Sequence, residues 1–163
     1  MRFLCRYNSA ISQGAGGSSL KRAIELAKSA NGEIPVGAII VKDGEIISSA
    51  FNCKEKEKDV TSHAEILAIR DAEKKLKKWR LDDCEMYVTL EPCPMCAWAI
   101  INSRIKTVYF GSYDTNYGAL GSRIDLRKIG NSKLKVFGGI MEDECNGILE
   151  KYFKSLRVSH KAP

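Results

Sequence analysis

The triplet His63-Ala64-Glu65, followed roughly thirty positions later by Pro92-Cys93-Pro94-Met95-Cys96, constrains this chain more than any other stretch. One imidazole and two thiols can supply three ligands to a tetrahedral zinc ion. Catalytic zinc sites leave the fourth position to water, whereas structural sites fill it with protein. Cys93 and Cys96, three apart, face one side of a helical turn, and a helix N-terminus at that point favours thiolate over thiol. His63 and Glu65 differ by two positions, nearly opposite faces of a helix, so they can share a pocket only over its first turn. Two helix N-termini should therefore meet at the metal, each at the carboxyl end of a strand, where open α/β sheets bind ligands. Glu65 is placed to move protons rather than to bind metal. The whole reads as a site that makes hydroxide at neutral pH and delivers it to a carbon.

Taken singly, each piece has a plainer reading. A Cys-x-x-Cys pair alone fits a redox couple or half a zinc ribbon, but a ribbon needs a second pair, and the sequence has none. His63 alone would read as a structural histidine. Cys145 sits inside an amphipathic pattern far along the chain and is not expected as a fourth ligand. His-x-Glu joined to Pro-Cys-x-x-Cys is the signature of the zinc nucleobase deaminases.

The chain has 163 residues, 44% of them apolar and 28% charged, which fits one ordinary globular domain. No stretch approaches the ~20 apolar residues of a membrane helix. A formal charge of +6 makes a polyanionic partner plausible. Six Cys in a chain of this composition, without a secretory segment, point to a reducing compartment rather than a disulfide framework. Cys5, Cys53, Cys84 and Cys145 read as small buried apolar side chains. Residues 1–19, free of acids and ending in a Gly/Ser run, read as a poorly ordered leader, with a transit peptide as the alternative. Residues 20–163 read as a single catalytic domain.

Within that domain, Leu20, Ala23, Ile24, Leu26 and Ala27 recur at helical spacing. Val36 to Val41 and Glu45 to Phe51 form a hairpin about Asp43-Gly44. Thr61 or Ser62 can cap a helix from about His63 to Lys77, with Ile66, Leu67, Ile69 and Ala72 on its apolar face. Met86 to Leu90 reads as a strand, Pro94 to Asn102 as a helix and Lys106 to Phe110 as a strand ended by Gly111. A loop or short helix follows, then a strand from Leu134 to Phe137 and a helix from Glu142 to Leu156. Strands alternating with helices predict a largely parallel sheet, made mixed by the hairpin.

Four segments carry a resemblance to a known family: Ile34-Pro35-Val36-Gly37-Ala38, Phe51-Asn52, Thr89 through Ala97, and Phe110 through Asp114 with Gly118 through Ser122. With Tyr152 through Arg157, they make the chain, from about Leu20 to Arg157, resemble the bacterial-type tRNA-specific adenosine deaminases of the cytidine deaminase-like superfamily. The resemblance implies a three-layer α/β/α fold with a five-stranded mixed sheet and helices on both faces. It also implies one zinc ion per subunit, held by His63, Cys93 and Cys96, with water or hydroxide as nucleophile and Glu65 as the catalytic proton carrier.

The implied reaction is adenosine to inosine at the wobble position of a tRNA anticodon stem-loop, most naturally an arginine tRNA. The target base is already single-stranded and so inexpensive to extrude. By the same resemblance Asn52, the Ala64 backbone and Val36 would hold the base. Asp114, Asn116, Tyr117 and Ser122 would face neighbouring nucleotides, and Tyr152, Phe153 and Arg157 would stack on or pair with the loop. A homodimer in the cytoplasm is implied, or an organelle if residues 1–19 are a transit peptide. Trp98 departs from the small residue usual there, which could alter packing under the zinc helix. The alternatives are a deaminase of free guanine, cytosine or cytidine, and a zinc-stabilised RNA-binding subunit without catalysis.

Overall fold

In the computed structural model the described residues are 17–159. Helix α1 (Gly17–Lys28) buries Leu20, Ala23, Leu26 and Ala27, the stripe that helical spacing predicts. It starts ahead of the boundary expected at Leu20, and Ser19 is already buried. The Gly/Ser composition that reads as linker here opens a helix. The rest of the expected leader, with Cys5, lies outside the described residues. Strands β1 (Gly37–Lys42) and β2 (Glu45–Phe51) form the expected hairpin. Its turn residues Asp43 and Gly44 both take positive φ, 50° and 80°, as a tight hairpin turn demands.

A one-turn helix that the pattern gave no sign of, α2 (Lys54–Glu57), leads into α3 (Ala64–Leu76) and β3 (Cys84–Leu90). Then come α4 (Pro94–Asn102), β4 (Thr107–Ser112), the short α5 (Leu126–Ile129), β5 (Lys135–Phe137) and α6 (Glu142–Ser159). On α3, Leu67, Ile69 and Ala72 are buried as expected, joined by Ala68, while Ile66 is only half-buried. Strand β4 does not stop at Gly111. A Cβ there would meet the Cys145 sulfur and lie 2.8 Å from the Thr89 carbonyl, so glycine lets α6 close onto the strand.

The five strands are ordered β2-β1-β3-β4-β5, with β1 antiparallel to both neighbours and β3, β4 and β5 parallel. This is the mixed sheet of the expected α/β architecture. Side chains alternate across it. Ala38, Ile40, Met86, Val88 and Val108 pack with α3 and α4, whereas Ile39, Val41 and Tyr87 pack with α1. Each fully buried aliphatic side chain of this kind contributes roughly 1.5–3 kcal/mol. At Gly37 the Ala23 carbonyl and Ala27 amide occupy the space of a side chain, so α1 lies directly on the strand. Cys53, Cys84 and Cys145 are all buried. No described helix is long and apolar enough to cross a membrane.

The strand directions place the start of β1 and the ends of β2, β3, β4 and β5 at one end of the sheet. The segments carrying His63, Cys93 and Asp114 leave from that end.

Candidate active site

His63 is the residue immediately before α3 and Cys93 the residue immediately before α4. Both have extended backbone, and neither spends its side chain on capping its own helix. The expected cap residues are engaged elsewhere: the Thr61 hydroxyl donates to Asp59 at 2.7 Å and the Ser62 hydroxyl to Glu57 at 2.6 Å. The cap position thus falls to His63, and two helix N-termini meet as the spacing predicts. Proline at the first position of α4 costs no hydrogen bond, because the amide it lacks would have had no partner in the helix.

The His63 Nδ1 atom lies 3.8 Å from the Cys93 sulfur and 3.5 Å from the Cys96 sulfur, and the three donor atoms lie within 4.8 Å of one another. A tetrahedral ion with Zn–N of ~2.0–2.1 Å and Zn–S of ~2.3 Å requires N···S separations of ~3.6 Å. The donor set and its spacing fit zinc. Cys145, against Gly111, takes no part in the group.

The three groups share protons among themselves, and a bound metal would displace those on His63 and Cys96. The Cys93 thiol is drawn down to about 4, chiefly by the hydrogen bond from Cys96 and then by His63. Cys96 is pushed up by that same hydrogen bond and by burial. The His63 imidazole is raised by its hydrogen bond to Cys93. A thiolate is the form that ligates metal. Glu65, on the first turn of α3, is 4% exposed. Burial, seconded by the charge of Cys93, lifts its carboxyl to about 7. A carboxyl poised there can both take and give a proton near neutrality.

His63, Glu65 and Cys93 floor a cavity of about 490 Å³. Asn52 and Val36 line it, as expected, tied together by the Asn52 amide donating to the Val36 carbonyl at 3.0 Å. The Asn52 side-chain amide makes no hydrogen bond among the described residues, so its donor and acceptor are available to a ligand. Ala64 is fully buried, with its amide on the first turn of α3, where helix N–H groups lack intrahelical partners. Ile34, Val60 and Met95 add apolar wall, and Lys54 stands at the cavity with its charge. None of these four was expected, because only the fold brings their segments together.

Asp114 and Tyr117 complete the wall from the loop after β4. Asp114 accepts from the Asn116 and Tyr117 amides at 2.9 and 3.0 Å, so it also forms the turn that presents Tyr117, 70% exposed. Glu91, at the end of β3, holds this loop. Its buried carboxylate accepts from the amides of Asp114 at 3.1 Å, Leu120 at 3.2 Å and Ser122 at 3.0 Å, and from the Ser122 hydroxyl. Gly118 has no side chain because one would strike Glu91 and the Asp114 carbonyl. Glu91 was missed in the sequence. The available signal was a carboxylate between a strand end and the Pro-Cys turn, facing a Gly-rich loop.

The other expected contacts lie off the cavity lining. Asn116 is exposed on the loop, and the Ser122 hydroxyl is committed to Glu91. Tyr152, Phe153 and Arg157 are on α6, which packs against β4 and α1; Tyr152 and Phe153 meet edge-on at 5.3 Å. Phe153 is 43% exposed rather than core. Trp98 does not pack beneath the zinc helix: it is 43% exposed on the outside of α4, and its ring lies over Gly130.

Residues 17–112 match the family model described as the cytidine and deoxycytidylate deaminase zinc-binding region. The tRNA-specific adenosine deaminase of Bacillus subtilis (strain 168) is 44% identical over 147 residues, covering 88% of this chain and 91% of that protein. A solved structure from a study of A-to-I editing by tRNA:A34 deaminases at the wobble position of transfer RNA superposes with a TM-score of 0.76 at 38% identity. It covers 81% of this chain and 99% of its own. Guanine deaminase from Bacillus subtilis gives a TM-score of 0.60 at 44% identity, covering 63% of this chain and 68% of that one. With the His-Cys-Cys group gathered at metal-binding spacing and Glu65 beside it, the chain belongs to the zinc-dependent cytidine deaminase-like family, among the tRNA-specific adenosine deaminases.

Proposed function

We propose that the protein converts adenosine to inosine at the wobble position of a tRNA anticodon, in an arginine tRNA, as a cytoplasmic homodimer. The observation that carries the reading is the sharing of one cavity by Glu65, His63, Cys93 and the side-chain amide of Asn52, which makes no hydrogen bond among the described residues.

His63, Cys93 and Cys96 would hold the zinc ion, which would supply the Lewis acidity that brings the pKa of water toward neutrality. Asn52 and the first-turn amide of α3 orient the base edge, with Val36 against its face. Glu65 takes a proton from water and passes it to N1 of adenine as C6 accepts the oxygen. It then takes the proton of the new C6 hydroxyl and passes it to the departing amine, so that the C6–N bond breaks, ammonia leaves and C6 becomes the carbonyl of inosine. Burial of Glu65 excludes bulk water from that transfer. The loop fastened by Glu91 offers Tyr117, Asp114 and Asn116 to the flanking nucleotides. Tyr152, Phe153 and Arg157 would reach RNA outside the cavity.

Trp98, Ile124 and Ile129, exposed by 43%, 43% and 74%, give apolar surface that supports the dimer. The likeness to guanine deaminase favours a second reading, deamination of a free base, but it spans less of the chain than the tRNA-enzyme relative does. Ammonia release from guanine, cytosine and cytidine, assayed beside a tRNA with adenosine at the wobble position, separates the two. Turnover of tRNA alone is expected. Turnover of a free base with none of tRNA would establish the second reading.

A further inference from the structure

A second concavity, of about 340 Å³, lies at the opposite end of the sheet, where the end of α4 meets the starts of β4 and β5. The six residues of β4 separate the two ends by ~20 Å. Ile101, Ile105 and Leu134 line it with apolar surface, while Arg104, Lys106, Lys133 and Lys135 stand around it, all exposed. None of these four cations has an ion pair or side-chain hydrogen bond among the described residues.

The carboxylates that flank the cleft are already engaged. Asp82, the acid of its lining, is gripped by Arg80 at 2.9 and 3.1 Å. Asp83 holds Lys42 at 2.9 Å and Lys78 at 3.2 Å, and Glu85 accepts the Tyr87 hydroxyl at 3.1 Å. Elsewhere Lys28, Lys75, Arg127 and Lys154 all have carboxylate partners. The cleft gathers four cations that no carboxylate among the described residues neutralises, at the end of the sheet away from the zinc site.

We propose that this cleft binds the phosphodiester backbone of RNA, as a second contact surface separate from the active site. A small anion would need buried, converging donors. Exposed cations spread around a shallow cleft instead gain affinity from a polyanion, by releasing its condensed counterions. The identity of the polyanion rests on the reading of the protein as a tRNA enzyme. Contacts to phosphate position the RNA without reading its sequence, so the surface adds affinity for any structured RNA and leaves the choice of base to the cavity.

The test is equilibrium binding of tRNA at several salt concentrations by the zinc-loaded protein and by its Lys106→Gln/Lys133→Gln/Lys135→Gln variant. All three side chains are exposed, and matching thermal unfolding curves establish the variant's fold. The single variant Lys133→Gln serves if the triple variant is unstable. The triple variant should bind tRNA roughly tenfold or more weakly near 0.1 M salt, with a log–log salt slope shallower by roughly two. The single variant should lose about one third of that slope change. The saturated deamination rate on a short anticodon hairpin should not change. Unchanged tRNA affinity and slope would overturn the proposal, and so would loss of polyglutamate binding with tRNA binding intact, which assigns the cleft to an acidic protein. Inosine formation by the wild type is read separately. If it binds tRNA without deaminating it, the functional reading fails and the slope still decides the role of the cleft.

Discussion

Glu91 accepts the backbone amide of Asp114 at 3.1 Å, so the strand that leads into the zinc loop also holds the loop that walls the cavity. The same carboxylate binds the Leu120 and Ser122 amides, and its burial leaves those donors no water to turn to. Replacing it by Gln puts an amide group among N–H donors. Hydrogen bonds to a charged group contribute ~1.5–3 kcal/mol, so Glu91→Gln should lower unfolding stability by about 2 kcal/mol. Urea denaturation measures this. Zinc content should stay at one ion per subunit, whereas activity on tRNA should fall as the loop loosens. Loss of zinc with an unchanged loop would contradict this division of labour.

Zinc removal should expose chemistry that the folded holoprotein hides. Cys93 and Cys96 would hold the metal as thiolates, and Cys84, Cys96 and Cys145 are buried while Cys93 is partly exposed. Chelation should therefore release the half-buried Cys93 thiol to an alkylating reagent, while the buried Cys84, Cys96 and Cys145 stay unmodified until the chain unfolds. Peptide mapping after brief labelling, with and without chelator, reads the result. Equal labelling of Cys93 in both conditions would mean that its thiol does not hold the metal.

Asn52 presents to the cavity a side-chain amide that makes no hydrogen bond among the described residues. Removing it in Asn52→Ala would delete its proposed contacts to the base and leave His63, Cys93 and Cys96 in place. kcat/KM on tRNA should fall roughly tenfold, the equivalent of one hydrogen bond of ~1.4 kcal/mol. Zinc stoichiometry should be unaffected. An unchanged kcat/KM would remove Asn52 from base recognition.

Gly37 lies where α1 touches β1, and a methyl group there would overlap the Ala23 carbonyl. Gly37→Ala should destabilise the fold by ~1–3 kcal/mol through overpacking. A thermal melt that matches the wild type would show that α1 can shift without cost.

Local chemistry made much of this architecture readable. The Asp43-Gly44 turn, the apolar stripe of α1 and the proline opening α4 each state their structure within a few residues. The metal ligands were readable because a first helical turn brings Cys93 and Cys96 together, and because His63 and Glu65 can share a pocket only there. What escaped depends on tertiary contact. Gly111 looks like a strand end until Cys145 arrives to fill its missing side chain. Ser62 looks like a helix cap until Glu57 takes its hydroxyl. Glu91 looks like one more acid until a loop some thirty residues away closes on it. Trp98 looks like core under the zinc helix, yet α4 turns it outward over Gly130.

The most direct test of the central claim is the sequencing of tRNA for adenosine-to-inosine changes after incubation with the zinc-loaded protein and with its Glu65→Ala variant. The wild type should convert adenosine at the wobble position. The variant should retain zinc and bind tRNA while forming inosine at least roughly 10²-fold more slowly. Undiminished conversion by Glu65→Ala, or none by the wild type, would contradict the account.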